Sequence, residues 1–165
     1  MYKLLEYMDR KINFTRARAH CDVPCGIYDP STALIDALTV VRMVDLIKEH
    51  LEKGATQDGE FYNRLTRLIT TKEDHAEKVK HEVRVIWGDF IKQEHIEKFP
   101  EIHSLVHEIM QLGSKDKQGV DRESAVKLVE KVNRFAEIFW EIKGVKTKRV
   151  KAPYAPNLEV VHPDL

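Results

Sequence analysis

Apolar positions recur along this chain at helical spacing in four stretches, with turn-forming residues between them. Leu34, Ile35, Leu38, Val41 and Leu46 follow Asp29-Pro30. Asp caps the orphan amides of a first turn and Pro needs no intrahelical partner there, so a helix is predicted from this pair to about Gly54. After the polar turn Ala55 to Gly59, the residues Phe61, Leu65, Leu68, Ile69, Ala76, Val79, Val83, Ile86 and Phe90 step mostly by threes and fours. They predict one long helix, with Trp87 beside its stripe. Pro100 restarts the chain, and Ile102, Leu105, Val106, Ile109 and Met110 predict a short third helix closed by Gly113. A charged linker, Ser114 to Gly119, leads to Ala125, Leu128, Val129, Val132, Phe135, Phe139 and Ile142, with Gly144 where a C-terminal cap belongs. No stretch sustains period-two alternation. Four amphipathic stripes joined by short connections are buried most simply in an antiparallel four-helix bundle, so the predicted fold class is all-α.

The two ends fall outside this pattern. Met1 to Ala19 has a weak amphipathic series (Leu4, Leu5, Met8, Ile12) that runs into Thr15-Arg16-Ala17-Arg18-Ala19. The residues alone allow either a frayed helix or a removable leader. Val145 to Leu165 begins with Lys146, Lys148, Arg149 and Lys151 and then carries Pro153, Pro156 and Pro163, which reads as a tail docked through Tyr154 and Leu158. Its lysines read as a solvated run.

Length and charge narrow the function. A chain of 165 residues buries a core without staples, and 27 basic residues balance 27 acidic ones. No global field therefore steers it to nucleic acid or to a membrane surface. No run approaches a membrane span, and five basic and two acidic residues break up Met1 to Ala19, so it lacks a secretory apolar core. A cytoplasmic location is the expectation.

The two cysteines, Cys21 and Cys25, share one short segment and cannot staple distant elements. His20, Cys21 and Cys25 supply three side-chain donors, one short of a structural zinc set, and leave the metal open. On the residues alone, incidental or redox-active thiols are as good a reading. His103 and His107 lie four apart on one helical face, but no third ligand accompanies them, so surface histidines are expected there.

The longer string His20-Cys21-Asp22-Val23-Pro24-Cys25-Gly26-Ile27-Tyr28-Asp29-Pro30 resembles the N-terminal motif of nickel-containing superoxide dismutases over all its positions, with aliphatic exchanges at Val23 and Ile27. The resemblance continues in Trp87-Gly88-Asp89-Phe90, in Glu94 to Leu105, and in Ile138-Phe139-Trp140-Glu141. It implies a processing protease that cleaves between Ala19 and His20, because the motif begins the mature protein in that family. It further implies one nickel ion per chain, held by the α-amine of His20, the amide nitrogen of Cys21 and the thiolates of Cys21 and Cys25. The His20 imidazole is the implied axial ligand of Ni(III). Planar nitrogen and sulfur donation suits Ni(II), whereas zinc prefers a tetrahedron and has no redox couple. Pro24 and Gly26 favour the chain reversal that such a set requires.

The implied reaction converts two superoxide ions to dioxygen and hydrogen peroxide by Ni(II)/Ni(III) cycling, in a homohexamer. Tyr28 matches a tyrosine beside the nickel that gates or orients the anion, and Asp22 matches the acidic residue of the hook. Three positions depart from the family pattern. Asp36 stands for a glutamate near the axial imidazole, His75 for an arginine of the same network, and Phe90 for a second tyrosine. A histidine there replaces a permanent cation by a titratable group. The expected organisation is a leader (1–19), a nickel hook (20–28), the bundle (29–144) and a tail (145–165). Two other readings compete: a nickel or copper binder for storage or delivery, and a helical interaction module with a metal-free thiol pair.

Overall fold

A computed structural model describes residues 26–53 and 57–165. Helix α1 (Ser31–Lys53) starts where Asp29 Oδ1 accepts the Ser31 N–H at 2.8 Å, and Leu34 N–H reaches Pro30 O at 3.1 Å. Its buried face is Ala33, Leu34, Ala37, Leu38, Val40, Val41, Val44 and Ile47. Ile35, assigned to the stripe from the sequence, points outward and is exposed. Helix α2 (Gly59–Val85) starts at Asp58, whose side chain accepts the Phe61 N–H at 2.9 Å.

The predicted long helix continues to Phe90, but its last stretch, Ile86–Phe90, is wound as a π-helix. Ile91 N–H bonds Ile86 O at 3.2 Å, five residues back, so one extra residue enters the turn. Gly88 inside it gives little support to regular α-helix. Trp87 faces out far enough for its Nε1–H to donate to His103 Nδ1 at 3.0 Å. A short helix that the pattern did not predict follows, α3 (Gln93–Lys98), with Lys92 N–H donating to His95 Nδ1 at 3.0 Å.

Helix α4 (Ile102–Gln118) overruns the predicted stop at Gly113. Gly113 is not a terminator; it is where α2 comes close, since a Cβ there would lie 2.9 Å from Lys80 Cγ. Most of the expected linker Ser114 to Gly119 is therefore the last turn of α4. That turn ends on a buried cation. Lys72 of α2, 1% exposed, donates from Nζ to the carbonyl oxygens of Asp116, Lys117 (2.9 Å) and Gly119 (2.7 Å). A positive charge satisfies orphan carbonyls and complements the helix dipole at this end.

Helix α5 (Arg122–Ile142) begins at Asp121, whose Oδ1 accepts from Glu123 N–H (3.0 Å) and Ser124 N–H (3.3 Å). Its end meets expectation at Gly144, which has φ +72°. Gly144 N–H bonds Glu141 O at 3.0 Å and Val145 N–H bonds Trp140 O at 2.9 Å, the paired bonds of a left-handed glycine stop.

Each long helix packs against two of the others: α1 on α2 and α5, and α4 on α2 and α5. Cross-links give the directions. Thr32 to Glu82, Asp36 to His75 and His50 to Phe61 run in opposite senses along α1 and α2. Glu108 to Lys131 and Glu101 to Arg134 do so along α4 and α5. The shared core includes Val41, Val79, Ile109, Phe135 and Phe139.

The expected tail is instead a hairpin. Strands β1 (Thr147–Lys151) and β2 (Glu159–Pro163) pair antiparallel with Arg149 opposite Val161, so the fold is mostly helical with one small sheet. Asn133 of α5, fully buried, holds it: Nδ2–H donates to Glu159 O at 2.8 Å and Oδ1 accepts Val161 N–H at 2.9 Å. Arg149 adds bonds to Glu130 and Glu137, both at 2.8 Å. Docking runs through buried Ala152, Val160 and Val161, with Leu158 partly buried beside them, whereas Tyr154 stays 52% exposed.

Beside Lys72, the carboxylate oxygens of Asp116 and the Ser124 hydroxyl are buried and find no hydrogen-bond partner among the described residues. Burial pushes the Asp116 carboxyl up and the Lys72 ammonium down from their usual values. A raised carboxyl favours folding below its unfolded value, and that contribution is lost as pH rises through the folded value. Lys72→Met, which orphans three carbonyls, is therefore expected to cost about 3–5 kcal/mol in urea unfolding. Asp116→Asn is expected to hold or raise the urea midpoint at neutral pH; a drop as large as that of Lys72→Met would contradict this account.

Candidate metal centre

The described chain begins at Gly26, whose φ of +71° is left-handed, and leads into α1. A Cβ at Gly26 would meet nothing within 4 Å among the described residues, and the left-handed φ is the conformation that favours glycine. Ile27 is exposed, and Tyr28 turns back onto the core. The Tyr28 ring lies 5.7 Å from the Phe90 ring, tilted by 48°.

Phe90 is the hub of an aromatic cluster. Phe139 of α5 lies 4.9 Å from it, His95 of α3 stacks on it at 5.6 Å, and Trp140 meets Phe139 edge-on at 5.0 Å. The π-helical turn at the end of α2 delivers Phe90 to this meeting point. Phe139 reads as core from its place in the stripe, and His95 carries no mark in the apolar pattern. No spacing rule marks their meeting at Phe90, because it depends on how the π-turn and α5 are packed.

Asp36 and His75, assigned to one network from the sequence, do come together. His75 Nδ1–H donates to Asp36 Oδ1 at 2.5 Å across the α1–α2 interface, with both side chains mostly withdrawn from solvent. In a neutral ring this bond makes Nε2 the acceptor nitrogen, and Nε2 has no hydrogen bond among the described residues. The shorter aspartate thus still reaches its partner across the interface.

His20, Cys21, Asp22 and Cys25 lie outside the described residues. Among the described residues no three histidine, cysteine or carboxylate groups are gathered as a metal site. His103 is tied to Trp87, 5.6 Å away and edge-on, and both His103 and His107 are exposed, in keeping with their surface reading. His20, Cys21 and Cys25, in the segment before Gly26, are donors of the type that suits nickel. Two thiols that ionise to soft anionic ligands, with an imidazole beside them, match nickel in donor type.

The sequence profile of nickel-containing superoxide dismutases matches residues 15–143. The chain belongs to the nickel-containing superoxide dismutase family. It is 38% identical over 125 residues to the nickel superoxide dismutase of Streptomyces coelicolor, covering 76% of this chain and 88% of that protein. It is 36% identical over 128 residues to that of Streptomyces seoulensis, covering 78% and 91%. A native structure of nickel superoxide dismutase superposes with a TM-score of 0.65 at 36% identity, over 75% of this chain and 99% of that one. An apo structure does so with 0.63 at 34% identity, over 72% and 99%.

As a nickel-containing superoxide dismutase, the protein is an oxidoreductase that uses one nickel per chain. The profile match ends at residue 143, so the β1–β2 hairpin lies beyond the part this family shares. The Asp36–His75 bond invites a direct test. Asp36→Leu leaves the His75 Nδ1–H without its acceptor and is expected to cost about 1–3 kcal/mol. A double-mutant cycle with His75→Ala should show coupling; additive effects would mean that the two side chains do not support each other.

Proposed function

We propose that the mature enzyme begins at His20, after a processing protease cuts between Ala19 and His20. Nickel would then be held by the His20 α-amine and imidazole, the Cys21 amide nitrogen and the thiolates of Cys21 and Cys25. The observation that carries this reading is the Tyr28–Phe90 contact. It fixes the chain directly after the donor segment against the meeting point of α2, α3 and α5, a rigid base for a short metal-binding hook.

When bound, nickel supplies a Ni(II)/Ni(III) couple, and two superoxide ions with two protons become dioxygen and hydrogen peroxide. The protein's own residues do the rest. The N-terminal cut frees the His20 nitrogen, which is an amide while the leader is attached. Tyr28 gates and orients the anion, and Asp22 is the acidic residue of the hook. Phe90 stands where the family pattern has a second tyrosine, which removes one hydroxyl from the approach. The Asp36–His75 pair orients the His20 imidazole, with Asp36 fixing the His75 tautomer.

The four helices, packed each against two others, are read as an antiparallel four-helix bundle over 29–144, following a leader at 1–19 and the hook at 20–28. Membership of the family supports association into a homohexamer. Exposed Ile35 and Tyr154, beside an apolar crevice of about 90 Å³ between α1 and the hairpin, are apolar surface available for contact between copies. Gel filtration of processed protein should show the hexamer, and a persistent monomer counts against it. No helix among the described residues is long and apolar enough to cross a membrane. The charged first nineteen residues support a cytoplasmic location.

The deciding experiment uses protein that starts at His20, loaded with nickel and assayed for superoxide disproportionation beside Cys25→Ser and the full-length chain. Activity should require both nickel and Cys25 and be absent with the leader attached. His75→Gln is expected to lower it about tenfold at unchanged helicity. An active Cys25→Ser variant, or a full-length chain as active as the cut one, would overturn this reading.

A further inference from the structure

His95 makes two contacts at once. It sits in the first turn of α3, and its Nδ1 accepts the N–H of Lys92, the residue that caps that helix, at 3.0 Å. The face of its ring lies on Phe90, with 5.6 Å between centres and 23° from parallel. Tyr28 and Phe139 meet the same Phe90 ring tilted by 48° and 51°, so of these three rings His95 alone lies nearly flat on it. A flat neighbour limits rotation of the Phe90 ring plane, and the ring against which Tyr28 packs is thereby held from α3.

The hold depends on one lone pair. Nδ1 accepts from Lys92 only while it carries no hydrogen, so the neutral ring has its hydrogen on Nε2, which lies 3.6 Å from Glu94 Oε1. A protonated ring is a donor at both nitrogens, and two N–H groups would then be turned on each other at the start of α3. The other charged groups around this turn come from three elements. Asp89 of the π-turn takes Lys92 Nζ on its carbonyl at 2.8 Å, Lys98 of α3 pairs with Glu141 of α5 at 3.4 Å, and Lys143 Nζ lies 5.1 Å from the centre of the Phe90 ring.

We infer that His95 is a positioning residue of the dismutase site, which sets the Phe90 ring, and through it Tyr28, from the cap of α3. The inference rests on the site proposed above, in which Tyr28 meets the anion. The competing role is that of a helix cap alone. A cap needs only an acceptor, whereas positioning needs the acceptor and the ring face together.

Two substitutions separate these roles. His95→Asn keeps an acceptor for the Lys92 N–H and removes the ring, and His95→Phe keeps a ring and removes the acceptor. The first measurement needs no nickel. It follows the ring resonances of carbon-13-labelled tyrosine in full-length protein, with Tyr28 identified by its absence in Tyr28→Phe. Phe90 displaces the Tyr28 signals from the position of an isolated tyrosine, and both substitutions should remove about half of that displacement at neutral pH. In the wild type the displacement should shrink in the same sense from about pH 8 to about pH 5, a step that His95→Phe lacks. The other seven of the eight histidines are common to both proteins, so the difference reports on His95. The second measurement uses nickel-loaded protein that starts at His20. There both substitutions should lower kcat/KM for superoxide about fivefold, while the thermal midpoint of His95→Asn stays near that of the wild type.

A Tyr28 signal or a rate that His95→Asn leaves as in the wild type, or a pH step shared by His95→Phe, would overturn the inference while wild-type dismutation keeps the site reading intact. The wild-type pH step needs no substitution, so its absence overturns the inference even where a variant folds poorly. A wild type without nickel-dependent dismutation would overturn the site reading, and with it the role of His95 in the reaction.

Discussion

Everything near the start of α1 depends on where one ring sits. Phe90 is touched by Tyr28 from the incoming chain, by His95 from α3 and by Phe139 from α5, so three stretches remote in sequence meet at one ring. The ring reaches this place because α2 widens into a π-turn at Ile86–Phe90. A regular α-helix over the same residues would change the angle at which Phe90 leaves the axis, since the inserted residue shifts everything after it around the helix. The departure from regular helix is therefore part of how the incoming chain is placed.

The far end of the molecule shows the complementary economy of one side chain. Lys72 closes α4 from a neighbouring helix and is one turn from His75, which faces Asp36 on α1. Along α2, then, one turn organises the α4 terminus and the next links to the helix that carries the incoming chain. The short aspartate still spans the interface between α1 and α2 to reach His75.

The long helices, their caps at Asp29-Pro30 and Gly144, and the hook motif were all legible in the sequence, because periodicity and capping are local properties. What was not legible depended on distant neighbours. Gly113 reads as a stop, yet it accommodates Lys80, and nothing within α4 announces that contact. Lys72 reads as a surface lysine but is buried on three carbonyls some forty residues away. The hairpin escaped because β1 is almost wholly polar and β2 buries two adjacent valines, so neither strand alternates. At the site, the pairing of Asp36 with His75 followed from the resemblance, whereas Lys143 above Phe90 had no sequence signal.

Asn133 carries a last consequence for the hairpin. Its amide occupies the outward backbone groups of β2 at Glu159 and Val161. The register places Arg149 and Lys151 opposite those two residues, so their own backbone groups point away on the far side of β1. One edge of the sheet is thus closed by a side chain, and on the other Arg149 is turned onto Glu130 and Glu137 while Lys151 is exposed. A charged lysine on the open edge disfavours a third strand there and guards a small ribbon against edge-to-edge aggregation.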